Sequence, residues 1–348
     1  MEPLSLEDSK VLVVGGAGFV GSNLVSQLLD ANVREILIID NLLSSVSTNL
    51  PNNPRVKFIF GSIADQRILN QIPNDLDFIW HLACYHGNQS SIADPIADHD
   101  NNTLTSLMLF EHISKFRKLK KVVYSAAGCA VAEKTFEKAE ATQEDAPVSL
   151  FQDSPYSISK IIGELYGNYY FTQHNLPFVR ARFQNVYGPR EILGAGRWRG
   201  TPATVWRNVV PNFIWKAMHD EPLTLENHGK SSRDFIFVED ICRGLIACAT
   251  TGTPGEAYNL ASGIETKIIE LATLIISMSN SNSEIVFAPK RSWDKSGLRY
   301  GSTHKSNQQL HFQAQVDLFL GLKKTLEWTV LNKEIILQNI NKHKFFLT

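Results

Sequence analysis

The stretch Lys10-Val-Leu-Val-Val-Gly-Gly-Ala-Gly-Phe-Val-Gly21 decides the fold. A β-forming run, Lys10 to Val14, ends in glycine, and a helical pattern with Leu24, Val25, Leu28 and Leu29 follows it. An apolar run without polar alternation predicts a parallel strand covered on both faces. Gly15, Gly18 and Gly21 suit a tight turn, close approach of backbone to a pyrophosphate, and close packing of helix on strand. The helix N-terminus then offers N–H groups and a positive dipole end to phosphates. A glycine-rich match alone is weak, but strand, turn and helix in that order form a dinucleotide fingerprint.

Ile36 to Ile39 makes a second run and ends at Asp40. A carboxylate there accepts hydrogen bonds from the adenosine ribose hydroxyls and repels a 2′-phosphate, which favours NAD over NADP. Val56 to Phe60, Phe78 to Leu82, Val122 to Ser125 and Phe178 to Phe183 continue the series, with helical patterns between them. The alternation predicts an α/β fold, a doubly wound parallel Rossmann sheet. That NAD-binding domain is expected over residues 1–182, with later returns near 232–262, and a smaller C-terminal substrate-binding α/β lobe mainly over 183–348. Within the lobe, Ser277 to Glu284 and Ser292 to Gln309 read as polar loops, and Leu310 to Trp328 as helical.

Composition narrows the function. The 348 residues hold 34 Lys+Arg against 35 Asp+Glu, so the basic excess of a nucleic-acid protein is missing. No apolar run approaches the roughly 18 residues that span a bilayer. The start, Met1-Glu-Pro-Leu-Ser-Leu-Glu-Asp8, lacks the cationic and apolar regions of a secretory signal. Cys84, Cys129, Cys242 and Cys248 are too scattered for a disulfide framework or a metal site. These features predict a reduced, cytoplasmic protein with no nucleic-acid or membrane partner and no metal.

A second motif carries chemistry. Ser154-Pro-Tyr-Ser-Ile-Ser-Lys160 opens a helix whose apolar positions, Ile158, Ile161, Ile162, Leu165, Tyr166, Tyr169 and Tyr170, recur at helical spacing. Tyr156 and Lys160 stand four residues apart, on one face. A phenol titrates near pH 10, so a base working near neutrality needs about three units of depression, roughly 4 kcal/mol. A neighbouring ammonium and an oxidised nicotinamide together suit that need.

With these motifs the chain resembles the extended short-chain dehydrogenase/reductase family, specifically its nucleotide-sugar epimerases and dehydratases, UDP-glucose 4-epimerase among them. The resemblance extends through His81-Leu-Ala83, Asn102, Arg182-Phe-Gln-Asn-Val-Tyr-Gly-Pro-Arg190, Val210-Pro211, Arg233-Asp-Phe-Ile-Phe-Val-Glu-Asp240, Tyr258-Asn-Leu260 and Trp328. It implies that Tyr156 takes a proton from a sugar hydroxyl while hydride passes to NAD, and that Lys160 holds the nicotinamide ribose. It also places Gly15, Gly18, Phe19, Val20, Gly21, Asp40, Asn41, Ser62, Ile63, Leu82, Ala83, Asn102 and Phe183 around the cofactor. Asn185, Val210, Arg233, Arg291 and Asp294 fall on a nucleotide-diphosphate sugar, with Arg299 in the same region. For Arg233 an ion pair with Asp234 or Asp240 is the structural alternative. The implied function is NAD-dependent epimerisation, most simply at C4 of a UDP-hexose or UDP-hexuronate. A 4,6-dehydratase, reductase or decarboxylase, and a non-catalytic sensor, are the alternatives. The family's usual destination is polysaccharide biosynthesis, and a homodimer is implied through helices near 102–116 and 157–172, whose apolar stripes, Leu104, Leu107 and Ile113 with Ile161, Leu165 and Tyr169, suit that interface and the monomer core equally.

The chain also departs from that pattern. The family's Ser or Thr beside the tyrosine aligns with Ala127 in Tyr124-Ser-Ala-Ala-Gly-Cys129. An extended backbone there turns Ser125 and Cys129 to the same face, so either is a candidate replacement. Ala126, Ala127 and Gly128 offer a dehydratase no acid or base, which leaves Glu133 as a carboxylate within reach in sequence. Glu191 to Asn208, with Arg197, Trp198, Arg199 and Arg207, is longer than the pattern requires and reads as a lid or a surface loop. His86, Asn88 and Ser91, just past the fourth strand, are candidates to touch the sugar, whereas His81 reads as structural.

Overall fold

A computed structural model describes residues 3–132, 135–197, 202–294 and 297–347. Seven parallel strands make the central sheet: β1 (Lys10–Val14), β2 (Glu35–Asp40), β3 (Val56–Phe60), β4 (Phe78–His81), β5 (Lys121–Ala127), β6 (Phe178–Phe183) and β7 (Ala257–Leu260), in the order β7-β6-β5-β4-β1-β2-β3. Val11 stands beside Ile36 on one neighbour and Phe78 on the other. Alternate residues of one strand enter different cores, because side chains on a strand alternate between faces. Val11 and Val13 pack with Leu24, Leu28, Ile241 and Leu245, whereas Leu12 and Val14 pack with Leu109, Phe110 and Ile113. Both faces are therefore apolar, which is why the sequence shows unbroken runs.

The helices Phe19–Asp30 and Val238–Thr250 cover the first face, and Thr105–Ile113 and Pro155–His174 the second. Pro155–His174 is capped by Ser154, carries Pro155 in its first turn and stops at Asn175 in the left-handed conformation (φ 56°). Its buried face takes only part of the apolar stripe, chiefly Tyr170. Ser159, Lys160, Gly163, Glu164 and Gly167 turn inward, while Ile158, Leu165 and Tyr169 are exposed. The reason is close approach: a Cβ on Gly163 would meet Tyr124, and one on Gly167 would meet Phe178. Glu164 pairs with the buried Arg182 of β6, hydrogen-bonded at 2.9 and 2.8 Å. Of the proposed dimer stripes, Ile113 is fully buried in the monomer core.

A third core holds the other lobe together, around Val210, Phe213, Ile214, Leu223, Leu225, Leu271 and Ile275. Two short parallel strand pairs, Asn185–Tyr187 with Phe235–Phe237 and Leu223–Glu226 with Ile285–Ala288, support it. Two readings of this lobe need correction. The helical stretch 310–328 is broken: His304–Leu310 ends at His311 (φ 52°), and a new helix, Leu318–Leu331, starts where Asp317 accepts from the Leu320 N–H. His304–Leu310 also lies in a segment expected to be loop, because its polar sequence hides the inward-facing Ser306 and Leu310. Among the described residues, no helix is long and apolar enough to cross a membrane.

Candidate active site

The carboxyl ends of β1, β2, β4, β5 and β6 open into a cleft of about 440 Å³ that the second lobe closes. At its cofactor end the three glycines divide the work. A Cβ on Gly15 (φ +85°) would strike the Ala83 backbone at 2.5 Å, and one on Gly21 would strike the Gly15 carbonyl at 2.1 Å. A Cβ on Gly18 would meet only the Gly15 carbonyl, at 3.2 Å. Gly15 and Gly21 thus pack the turn, and Gly18 keeps its outer side open. No side chain caps the helix Phe19–Asp30, so its first N–H groups remain available to phosphate. Asp40, 8% exposed, accepts from Leu42 N (2.8 Å) and Ser45 Oγ (2.8 Å) on one oxygen and from Ala17 N (3.1 Å) on the other. The glycine cradle, open helix end and strand-end carboxylate fit a dinucleotide.

Gly15, Gly18, Phe19, Val20, Gly21, Asp40, Asn41, Ser62, Ile63, Leu82, Ala83, Tyr156, Lys160 and Phe183 all line this cleft. Asn102 takes another place. Its amide accepts from Tyr85 N at 2.7 Å and donates to Tyr85 O (3.1 Å), Asp98 (2.8 Å) and Ser159 (3.3 Å), so it ties the post-β4 loop to two helices.

Tyr156 and Lys160 reach the floor from the helix Pro155–His174. Lys160 Nζ donates to the Ser125 carbonyl at 2.7 Å and lies 3.4 Å from Ser125 Oγ. It also lies 5.9 Å from the centre of the Tyr156 ring. Burial pushes the Tyr156 phenol well up and the Lys160 ammonium down. The protein alone therefore keeps the phenol protonated, so phenolate needs a further positive charge nearby. Ser125 belongs to β5, whereas Cys129 sits in the helical turn Gly128–Val131. The extended alternation that equated the two positions thus ends at Ala127, although both residues line the cleft.

The other end of the cleft, where the sugar is expected, is built from both lobes. His86, Asn185, Val210, Arg233, Arg291 and Asp294 line it, and Arg299, Lys290 and Trp293 join them. Arg233 donates to the carbonyls of Ser232 (2.7 Å) and Gly297 (2.8 Å) and pairs with Asp294 at 3.5 Å, not with Asp234 or Asp240. Burial together with Arg299 and Arg291 pushes the Arg233 guanidinium down to about 9. Crowded cations of this kind are relieved by an anion, and bidentate guanidinium geometry suits a diphosphate. Ser91 is fully buried outside the lining; it donates to Asn88 O (2.8 Å) and accepts from Tyr156 N (3.1 Å), so it steadies the tyrosine. His81 is buried too, bonded to Ser106 at 3.1 Å, and held neutral.

The segment after Arg190 contributes groups that the motifs did not single out. Glu191, 6% exposed, accepts from the Asn208 amide through Oε1, while its buried Oε2 has no hydrogen-bond partner among the described residues. Asn208 Oδ1 lies 3.1 Å from His86 Nε2, and the His86 ring stands edge-on to Tyr156, centroids 5.6 Å apart. Burial pushes Glu191 up to about 7, against the Asn208 bond and the nearby Arg207. His86 is pushed down to about 4 by burial and by Arg207. The signal was the extra length of 191–208, which marks an insertion without saying which side chains turn inward. Arg197 instead donates to Asn41 O at 2.6 Å, over the cofactor end, and Trp198, Arg199 and Glu133 lie outside the described residues.

Residues 11–261 match the model of the NAD dependent epimerase/dehydratase family. The chain is 29% identical to the UDP-glucose 4-epimerase of Mycolicibacterium smegmatis, over 92% of this chain and 98% of that one. It is 28% identical to a putative UDP-glucose 4-epimerase of Methanocaldococcus jannaschii, over 91% and 97%. Among solved structures it is similar to the Bordetella bronchiseptica enzyme WbmF in complex with NAD+ and UDP, at 55% identity, 97% of each chain and a TM-score of 0.87. Matched over most of its length and carrying the cradle, the strand-end carboxylate and the Tyr156/Lys160 pair, the chain belongs to the NAD-dependent epimerase/dehydratase family.

Proposed function

We propose that this NAD-dependent nucleotide-sugar epimerase inverts C4 of a UDP-hexose or UDP-hexuronate through a transient 4-keto sugar. The observation that carries the reading is the shared cleft: the glycine cradle, Tyr156 with Lys160, and the Arg233–Arg291 cluster all face it. Oxidised NAD supplies the hydride acceptor and a positive charge beside the phenol. Tyr156 then takes the proton from the sugar hydroxyl, with Lys160 holding positive charge 5.9 Å from its ring. Arg233 and Arg291 would grip the diphosphate and leave the sugar ring free to turn within the cleft. UDP is favoured because the Bordetella relative's complex contains it.

Dehydration is disfavoured because Ala126-Ala-Gly128 carries no acid or base. A homodimer through the exposed Ile158, Leu165 and Tyr169 is part of the reading, as is a cytoplasmic setting, which suits Cys84, Cys129, Cys242 and Cys248 forming no disulfide. Sedimentation of the purified protein reads the dimer.

The test is proton NMR in D₂O with UDP-, GDP-, CDP- and dTDP-sugars and no added NAD. Interconversion of two epimers without deuterium at the inverted carbon is the expected result and names the substrate. Deuterium at C5 or an accumulating 4-keto product would replace the reading with enolisation or dehydration. No turnover on any sugar would turn it toward nucleotide-sugar sensing.

A further inference from the structure

Ala127 offers no hydroxyl to a sugar beside Tyr156, whereas His86 lines the same cleft next to the tyrosine ring. The chain Glu191–Asn208–His86 has a fixed polarity. Above pH 7, where Glu191 is ionised, its carboxylate only accepts, so Asn208 Nδ2 donates to Glu191 Oε1. That turns Asn208 Oδ1 toward His86 Nε2, 3.1 Å away. An amide oxygen also only accepts, so Nε2 carries the hydrogen. In a neutral imidazole the other nitrogen, Nδ1, is then a hydrogen-bond acceptor. The ring that bears it lines the cleft and stands edge-on to Tyr156.

We propose that Glu191 and Asn208 are positioning residues that lock His86 in its Nε2–H tautomer, so that Nδ1 accepts a hydrogen bond from a hydroxyl or N–H on the sugar carbon next to the one that reacts. The site then selects sugars with a donor at that neighbouring position and holds their ring against Tyr156. A sugar lacking the donor leaves Nδ1 unpaired, and a polar site left unpaired discriminates strongly. The inference rests on the epimerase reading for its substrate, but the lock itself is a property of the free protein.

Two measurements test it. In ¹⁵N-histidine-labelled wild-type protein at pH 8, NMR should show His86 Nδ1 unprotonated; an Nδ1–H signal overturns the lock. Glu191→Leu should mix the tautomers, and Glu191→Gln, which still accepts through its amide oxygen, should restore the single one. In turnover, His86→Leu should raise KM about tenfold for the native sugar and leave KM unchanged for its deoxy analogue at the neighbouring carbon. His86→Asn, which places an amide oxygen near the Nδ1 position, should recover most of the loss. Equal KM for both sugars in wild-type and His86→Leu overturns the contact. Failure of wild-type protein to turn over any sugar would sink the epimerase reading instead, and calorimetric affinities of the same two nucleotide sugars would then read the contact.

Discussion

Asp40 and Glu191 are buried carboxylates in one cleft, and their surroundings differ. Asp40 closes the cofactor end with backbone N–H groups from Ala17 and Leu42 and the Ser45 hydroxyl all pointing at it. Glu191, in the sugar half, accepts one amide and keeps one oxygen bare. Burial raises both, but several hydrogen bonds pull Asp40 back, whereas Glu191 reaches about 7. Donors around a carboxylate favour its anion, which suits the ribose contact expected of Asp40. One poised near neutrality suits a task particular to this chain's substrate.

Tyr156 sits between the two ends and gives the largest expected effect. Tyr156→Phe removes the acid–base group, and general acid–base catalysis contributes roughly 10²–10⁴-fold. Turnover should fall by about 10³-fold while the purified variant keeps its bound NAD, read by absorbance after denaturation. Loss of the cofactor together with activity would break the comparison, because the two ends would then depend on each other through the tyrosine.

Glu191→Gln is expected to come next. A carboxyl raised from 4.5 to about 7 on folding stabilises the fold fully below the unfolded value and loses that contribution as pH rises through 7. The amide does not titrate, so the variant's stability relative to wild type should grow by about 3 kcal/mol between pH 5 and pH 8. Arg207 is the charge that lowers Glu191, and His86, joined through Asn208, stays neutral throughout this window. Paired denaturant melts at the two pH values measure the difference. A gap that stays constant would mean that hydrogen bonds and Arg207 offset the burial of Glu191 completely.

The sequence was more informative at the cofactor end because its determinants are local. β1 through β6 are contiguous runs, the glycine turn is seven residues long, and Tyr156 and Lys160 are four apart on one helix. Periodicity and spacing carry all of that. At the sugar end the groups that meet are far apart in the chain: His86 and Asn208 are 122 residues from each other. No pattern in either neighbourhood pairs them. The buried face of Pro155–His174 escaped for a related reason. Its apolar stripe looks like a core, but Gly163 and Gly167 admit Tyr124 and Phe178 so closely that the small and charged residues turn inward. Asn102 shows a third case, where a family position was legible and its local work, tying Tyr85 to Asp98, was not.

The smallest effect is expected at Asp40, and it asks whether a carboxylate so thoroughly hydrogen-bonded still has capacity for a ligand. One oxygen already serves Leu42 and Ser45, while the other accepts from Ala17 N at 3.1 Å, with the Gly18 N–H also acting on the carboxylate. An oxygen with a lone pair left accepts a ribose hydroxyl, and the negative charge beside it repels a 2′-phosphate. Asp40→Asn keeps the size and removes the charge, so the ratio of NADP to NAD affinity should rise about tenfold, equivalent to about 1.4 kcal/mol. The asparagine must also turn its NH₂ toward one of the N–H donors it inherits, so a modest fall in melting temperature accompanies the change. Calorimetric titration of the apoprotein with each cofactor separates the two consequences. If the affinity ratio stays put while stability falls, Asp40 is a scaffold for the turn, and the preference for NAD must come from the loop Asn41–Ser45 instead.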